Sequence, residues 1–296
     1  MKKGLQTVFA FALTLSVAAL TACGGQPAAQ NPTSYTKDNP MIIKFSHVVT
    51  EDSPKGKASK RFAALMAQKT GGRVKVEVYP SSQLYRDKDE LEALQAGNVQ
   101  LIAPSTAKMV GINPAFQVND LPFLFKEHDA VVKFWDGEYG KKLFNSLESK
   151  NLKGLALWEL GYKQFTSRKP IAKVEDFAGQ KFRTQAGKVL DAQFKALGAA
   201  AATIAFGETY KQWYDNLPAD IKKAFDESIQ ESTKYQRELA AKLDEESKTR
   251  IVKSGKLQMV QMTPEERGKF IQKMEPVYKE FENTIGKDMI DAARKM

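Results

Sequence analysis

Apolar positions in the first third of the chain alternate between the strand period and the helix period. Residues 42–45 form a short strand candidate, and Val74–Tyr79 alternates with period two, which indicates a half-buried strand. Between them, Ser53-Pro54 is typical of a helix start. The expected elements are therefore a strand, a helix and a second strand.

The same rhythm continues further along the chain. Asp87 and Glu90 are spaced as a capping box for a helix that ends at Gly97, and residues 99–103 follow as a strand candidate. A β-α-β-α-β order predicts an open α/β sheet with parallel strands.

Longer helices dominate the second half of the pattern. Further predicted elements are a helix over 129–151 interrupted near Gly137 and Gly140, strands over 155–160 and Lys181–Thr184, a helix over 188–197, a long charged helix over Ala219–Ser254 and a helical tail from Thr263. No internal sequence repeat accompanies them.

The N-terminus has the features of a secretory leader. Lys2 and Lys3 precede the apolar run 8–20, which is short for a permanent membrane span, and Cys23 follows small residues. This arrangement resembles a bacterial lipobox, whose cysteine is lipidated, and an ordinary signal peptide with an incidental cysteine is the alternative. We expect a signal peptide over 1–22 and a lipidated Cys23 with a flexible tether over 23–40.

Charge and cysteine content narrow the class of protein. The formal charge is +10, or +8 without Lys2 and Lys3, but the lysines are interleaved with acidic residues rather than gathered in a basic stripe. This pattern predicts no nucleic-acid partner and a field that favours small anions. Since Cys23 is the only cysteine, the fold has no disulfide.

Enzyme motifs are missing, and two cations stand out instead. The sequence has no HExxH, GxSxG, Walker A or GxGxxG motif, so we predict no catalytic residues, no metal and no cofactor. Lys163 and Arg183 lie near the ends of predicted strands, where open α/β sheets bind ligands. Each could hold a carboxylate or form a structural salt bridge. His47, which ends the first strand, is either structural or at the lip of such a site.

Several motifs resemble those of the solute receptors of tripartite ATP-independent periplasmic (TRAP) transporters, the DctP family. The motifs are residues 42–49, 53–58, 70–74, 79–84, 91–97, 120–125 and 179–183. Within the family, residues 103–105 and 161–166 resemble the C4-dicarboxylate branch. The resemblance is nearly continuous from Met41 to Tyr210.

The resemblance implies a fold and a binding site. The fold is a two-lobed α/β solute-binding domain over 41–296, with lobe 1 at about 41–160, lobe 2 at about 161–215 and long C-terminal helices over 216–296. By the same resemblance, Arg183 holds the ligand carboxylate and Lys163 a second one. The other implied ligand-binding residues are Ser105 (a hydroxyl donor), Phe206 (a pocket wall), and His47 and Val48 (the lip).

The chain also departs from the family pattern. Relatives carry further residues after Tyr210, whereas this chain continues with a segment that belongs well downstream, beginning at Lys211. The missing piece is at least a βαβ unit, so roughly 30 residues or more. Ala186 and Gly187 stand where relatives usually have small hydroxylated residues. We therefore expect one lobe to be incomplete.

Together these features predict a bacterial periplasmic or cell-surface protein, anchored to a membrane by lipid at Cys23. Its function would be to capture malate, succinate or fumarate and deliver it to a TRAP permease. The alternative is a non-transport or decayed lipoprotein of the same ancestry that binds no ligand. An exported hydrolase would need a nucleophile with a base, and no convincing pair is present.

Overall fold

The computed structural model describes residues 35–86, 89–159, 161–184, 187–203 and 214–296. The strands are β1 (Met41–Ser46), β2 (Val74–Tyr79), β3 (Leu101–Ile102), β4 (Lys181–Thr184) and β5 (Ala200–Thr203). The helices are α1 (Pro54–Lys69), α2 (Glu90–Gln95), α3 (His128–Asp136), α4 (Glu138–Ser146), α5 (Lys188–Ala196), α6 (Ala219–Ser254), α7 (Pro264–Ile285) and α8 (Lys287–Lys295). Four short 3-10 helices lie at Thr106–Gly111, Pro114–Asp120, Leu147–Lys150 and Val174–Phe177.

The first sheet is parallel, as the β-α-β-α-β pattern predicts. Its strand order is β2-β1-β3, and β1 pairs with β2 over its whole length, from Met41 opposite Val74 to Ser46 opposite Tyr79. β3 is shorter than the predicted 99–103 and pairs only at its two residues. The carboxyl ends of three strands therefore meet at one edge.

Helix α1 begins where the sequence predicts. Ser53 is its N-cap, the Ser53 hydroxyl accepts a hydrogen bond from the Gly56 amide (3.1 Å), and Pro54 occupies the first turn. Helix α6 extends over 36 residues, which is about 54 Å. Phe62 of α1 and Phe225 of α6 meet edge to face with ring centroids 5.2 Å apart, so the long helix braces the first sheet through α1.

The second sheet consists of β4 and β5, which pair in parallel from Lys181 opposite Ala200 to Thr184 opposite Thr203. Helix α5 lies between these two strands in sequence. Phe182 on β4 and Phe194 on α5 stack with centroids 4.9 Å apart, which fixes α5 against the sheet. The predicted strand and the predicted helix are both confirmed.

Two hydrophobic clusters fill the interior. The β1 cluster contains Met41, Ile43, Phe45, Phe62, Met66, Val74, Leu101, Tyr214, Leu217, Ile221, Phe225 and Ile229. The larger central cluster draws on residues between 93 and 197 and on the tail helices α7 and α8. Tyr35 packs against the β1 cluster, so contact with the domain starts a few residues before Met41. The boundaries of lobe 1, lobe 2 and the helical region remain predictions.

Three further predicted elements differ from the structure. Residues 152–159 form no regular secondary structure, so the strand predicted over 155–160 is wrong across its described part. A strand needs a neighbour for its backbone hydrogen bonds, and none is present in the described residues. Helix α2 begins at Glu90 with Asp89 as its N-cap, and Asp87 lies outside the described residues. The helix predicted over 129–151 breaks at Gly137 but not at Gly140.

In the ranges that the structure describes, no helix has the length and apolar character that crossing a membrane requires. The described chain is a mixed α/β structure with long C-terminal helices, as the sequence predicts.

Candidate ligand-binding site

Strand β4 carries the central candidate residue, Arg183. Along β4, Phe182 and Thr184 are buried whereas Lys181 and Arg183 lie on the exposed side. The chain then reaches Gly187, which precedes the first turn of α5. Arg183 therefore lies one residue from the carboxyl end of a parallel strand and close to a helix N-terminus, a location that favours anions.

Lys163 lies near Gly187, the residue that precedes α5. Its ammonium donates to Oδ1 of Asp120 in an ion pair. A Cβ placed on Gly187 would lie 3.3 Å from Oδ2 of Asp120. Gln193 of α5 also donates through its side-chain amide to the backbone carbonyl of Asp120. The ion pair therefore holds the Lys163 cation next to the N-terminus of α5.

Asp120 is a site residue that the sequence did not single out. Its side chain is 4% exposed while that of Lys163 is 57% exposed. Oδ2 of Asp120 is buried and makes no hydrogen bond within the described residues. The only sequence signal was its place at the start of the 120–125 motif, which indicated family and not chemistry. The Lys163 ammonium is therefore partly exposed to solvent, and Asp120 partly neutralises its charge.

Ser105 caps a short helix at the end of β3. Its hydroxyl oxygen accepts a hydrogen bond from the Ala107 amide (3.3 Å) and is half-buried. The neighbouring Thr106 accepts from the side-chain amide of Asn119 (3.4 Å), the residue before Asp120. Through this contact the Ser105 turn is connected to the segment that carries the Lys163 ion pair.

His47 does not lie at a lip. The ring is 0% exposed and meets Phe45 edge to face, with Nε2 3.1 Å from the Ser59 hydroxyl of α1. Ser59 donates its own proton to the Gly56 carbonyl (2.8 Å), so Nε2 of His47 is the donor to Ser59. The expectation of a lip position is wrong for this ring because α1 packs over it, while Val48 is half-buried.

Lys55 is a second cation that the sequence did not single out. It is 3% exposed, and its ammonium donates to the carbonyl of Ala103 (2.6 Å), two residues before Ser105. This contact ties α1 to the end of β3. Burial, together with the nearby charge of Lys55, lowers the pKa of His47 from 6.5 to about 4. His47 is consequently neutral at pH 7.

We expect His47 to make the protein acid-sensitive. The unfolded chain takes up a proton at the ordinary histidine pKa, whereas the folded protein does so only near pH 4. The free energy of unfolding should therefore fall as the pH drops from 6.5 to 4, by about 3 kcal/mol from this group alone. Urea unfolding at several pH values measures the slope.

The His47→Gln variant is the control for this slope, because it removes the titrating group and leaves His128 and all carboxyl groups in place. Its unfolding free energy should fall less than that of the wild type between pH 6.5 and 4. Identical slopes in the two proteins would contradict the assignment.

Some predicted residues cannot be placed. Phe206, the predicted pocket wall, and Cys23, the predicted lipidation site, lie outside the described residues, as does Ala186. The structure brings Lys163, Asp120 and the start of α5 together, and places Arg183 on the adjacent strand. Ser105, His47 and Val48 lie at the carboxyl ends of β3 and β1 in the other sheet.

The chain is similar in sequence to a known protein family and to a periplasmic protein. The model of bacterial extracellular solute-binding protein family 7, DctP, matches residues 45–212 and 211–284. A C4-dicarboxylate-binding periplasmic protein DctP of Rhodobacter capsulatus is 37% identical, with 86% of this chain and 90% of that protein covered.

Solved structures agree with the family match. A TRAP periplasmic solute-binding protein of Shewanella oneidensis with bound succinate has a TM-score of 0.83 at 36% identity, covering 86% of this chain and 99% of that one. The sugar acid binding protein DctPAm of Advenella mimigardefordensis, in complex with galactonate, has a TM-score of 0.79 at 29% identity, covering 86% and 98%. The two-lobed solute-binding fold is thereby confirmed.

The comparisons also bear on the gap after Tyr210. The two parts of the family match meet at residues 211–212 of this chain. The alignment with the Rhodobacter capsulatus protein spans 302 positions but only 86% of these 296 residues, so about 47 aligned positions have no counterpart here. The number of aligned positions absent from this chain exceeds the predicted minimum of roughly 30. The chain belongs to the DctP family of TRAP solute-binding proteins, which are periplasmic receptors and not enzymes.

Proposed function

We propose that this receptor captures a C4-dicarboxylate and delivers it to a TRAP permease. The observation that carries the proposal is the placement of one cation on β4 and of a second beside the N-terminus of α5, the helix that follows β4 in sequence. Arg183 lies on β4, and the Lys163 ammonium lies beside the α5 N-terminus that follows β4. Two cations and a helix N-terminus suit a small ligand with two carboxylates.

The two cations have different tasks in this proposal. The guanidinium of Arg183 is planar and can donate two parallel hydrogen bonds to one carboxylate. Lys163 is a point charge already held by Asp120, so a ligand carboxylate shares it with Asp120 rather than ordering a free side chain. Excluding water around the ligand would strengthen both contacts.

The names of relatives favour C4 acids over sugar acids. The Shewanella oneidensis structure holds succinate at 36% identity, and the Advenella mimigardefordensis structure holds galactonate at 29%. The Rhodobacter capsulatus relative is named for C4-dicarboxylates. A sugar acid offers one carboxylate, so it could place a ligand charge against only one of the two cations.

Isothermal titration calorimetry with a panel of acids tests the ligand class. Succinate, L-malate and fumarate should each bind at least about tenfold more tightly than galactonate or galacturonate, a difference of about 1.4 kcal/mol. Acetate, with one carboxylate and no hydroxyl, is the control for non-specific anion binding. If galactonate bound most tightly, the ligand would be a sugar acid and the C4-dicarboxylate proposal would be wrong.

A second candidate is a protein of the same ancestry that no longer binds ligand. The observation that favours it is the gap of about 47 aligned positions. In that case every acid in the panel would give no binding heat although the protein unfolds cooperatively. Binding of any panel member excludes this candidate.

We also propose that Cys23 is lipidated and anchors the receptor to the membrane. The support is the lipobox-like sequence before Cys23 and the role of this residue as the only cysteine. Two acyl chains or more are needed for a stable anchor. A Cys23→Ser variant that remains in the membrane fraction would contradict the anchoring.

A further inference from the structure

A segment without regular secondary structure, residues 153–159, contacts both hydrophobic clusters. Leu155, Ala156 and Trp158 pack against the β1 cluster, whereas Leu157 packs against the central cluster. At the end of the segment, the side chain of Gln236 on α6 makes two hydrogen bonds with the backbone of Glu159. It accepts one from the Glu159 amide (2.9 Å) and donates one to the Glu159 carbonyl. The segment is thus held in place by side chains and by α6.

The backbone of this segment lacks the partners that a strand would have. Across the described parts of the chain, no hydrogen bond is made by the amides of residues 154–158, and a single carbonyl, that of Leu157, accepts one, from Arg237 (3.4 Å). Yet the sequence of 155–160 predicts a strand. This stretch of backbone is half-buried and has strand-forming side chains, but it makes no strand–strand hydrogen bonds with the described residues. Its free backbone groups can therefore pair with another strand.

A cavity lies beside the segment, on the side of β3. Its volume is about 120 Å³, and its lining includes Leu101 of β3, Ala103, Ala156 of the segment, Phe116 and Phe144. The lining is mostly apolar, with Lys55 and Lys153 as its charged members. An apolar cavity of about 150 Å³ holds benzene, so this smaller cavity has room for one aliphatic side chain of about the size of Leu.

The family comparison indicates what is absent. The Rhodobacter capsulatus relative has about 47 aligned positions that this chain lacks, and the two parts of the family match meet at residues 211–212. A missing piece of chain and a strand position without a strand are two independent observations, and one occupant accounts for both. A second copy of this chain lacks the same piece, so the occupant is a different polypeptide.

We propose that the segment 153–159 and its cavity bind an extended apolar strand supplied by a separate chain that carries the missing family piece. The strand pairs with the amides of 154–158 by β-augmentation and places one apolar side chain in the cavity. The protein is then one part of a split receptor. This inference does not depend on which ligand the receptor takes.

The probe is a synthetic peptide with the residues of the Rhodobacter capsulatus relative that fall in the alignment gap, added to the full chain. We expect one peptide per chain, a higher melting temperature and slower hydrogen exchange at the amides of 154–158. A scrambled peptide of the same composition should produce none of these effects. Absence of exchange protection at saturating peptide would overturn the proposal.

Two variants locate the binding site. Ala156→Leu fills the cavity and should weaken peptide binding about tenfold or more. Ala172→Leu adds the same side chain at an exposed position away from the cavity and should bind as the wild type does. Equal affinity of the two variants would place the peptide elsewhere.

Self-association is measured in the same samples by analytical ultracentrifugation. We expect the chain to be monomeric without peptide. A dimer that forms without peptide and protects the amides of 154–158 would show that a second copy, and not a complementary strand, occupies the position, and would overturn the proposal.

Discussion

Replacing Phe62 with alanine is expected to lower the free energy of unfolding by about 3–5 kcal/mol. Phe62 is fully buried, and its ring meets Phe45 of β1 at 6.2 Å and Phe225 of α6 at 5.2 Å, both edge to face. The loss combines transfer of the ring to water with a cavity that two aromatic neighbours cannot close. Urea unfolding followed by circular dichroism measures it.

The matched control for Phe62 is Tyr235→Ala, because Tyr235 lies on α6 and is 38% exposed. Its effect should stay below about 1 kcal/mol. A double mutant of Phe62 and Phe225 should lose less than the sum of the single mutants, since the rings share one contact. Strict additivity would show that α1 and α6 are not packed through these two rings.

Replacing Trp135 with alanine is expected to cost a similar amount, about 3–5 kcal/mol, in the central cluster. Trp135 is 1% exposed and contacts Phe116 (6.1 Å, stacked), Phe134 (5.7 Å) and Phe144 (5.2 Å). Its indole N–H also donates to the side-chain carbonyl of Asn119 (2.9 Å), the residue before Asp120. The variant therefore loosens the segment that holds Lys163.

Trp135→Phe separates packing from hydrogen bonding. It keeps an aromatic ring but leaves the Asn119 carbonyl without its donor, and should cost about 1–3 kcal/mol. Differential scanning calorimetry of both variants gives the comparison. A Trp135→Phe loss as large as that of Trp135→Ala would mean that the hydrogen bond, and not the ring, stabilises this part of the fold.

Elements with local signals were predictable from sequence to the residue. The bounds of α6 match the prediction because proline lacks the amide that a helix interior needs, so the helix starts directly after Pro218. Gly255 ends the helix in the left-handed region at φ +63°. β4 matches because Phe182 and Thr184 alternate with Lys181 and Arg183 in a short run. In both cases the information lies within a few residues of the element.

Elements that depend on distant partners were not predictable. Residues 155–160 have the composition of a strand, but a strand exists only where a neighbour supplies hydrogen bonds, and no neighbour pairs with its described part. The capping-box pattern predicted an N-cap at Asp87, whereas the N-cap of α2 is Asp89. β3 contains only Leu101–Ile102 of the predicted strand 99–103. Local pattern overestimates strands whose partners are missing.

The sequence proposed two cations for the site but indicated nothing of their surroundings. Arg183 was proposed from the end of β4, which the structure contains, and from a family motif. Lys163 was proposed from a family motif and from the end of a strand over 155–160, which is absent across its described part. The ion pair between Lys163 and Asp120 joins residues 43 positions apart, and nothing in either local sequence marks it. From its place at the end of β1, His47 could be structural or at a lip, and the family resemblance implied the lip. Its ring is instead buried, with Nε2 3.1 Å from the Ser59 hydroxyl of α1. Such contacts arise from packing between elements.

The central claim is that the receptor still binds a C4-dicarboxylate through Arg183 despite the gap. Thermal unfolding of the full chain, with and without millimolar succinate, tests it most directly. Ligand at 100 times its dissociation constant should add about 2.7 kcal/mol, a rise of at least several degrees in melting temperature. The rise should persist in Arg168→Ala, an arginine on an exposed stretch, and vanish in Arg183→Ala. A cooperative transition that succinate leaves unchanged in the wild type, or an equal rise in Arg183→Ala, would contradict the account.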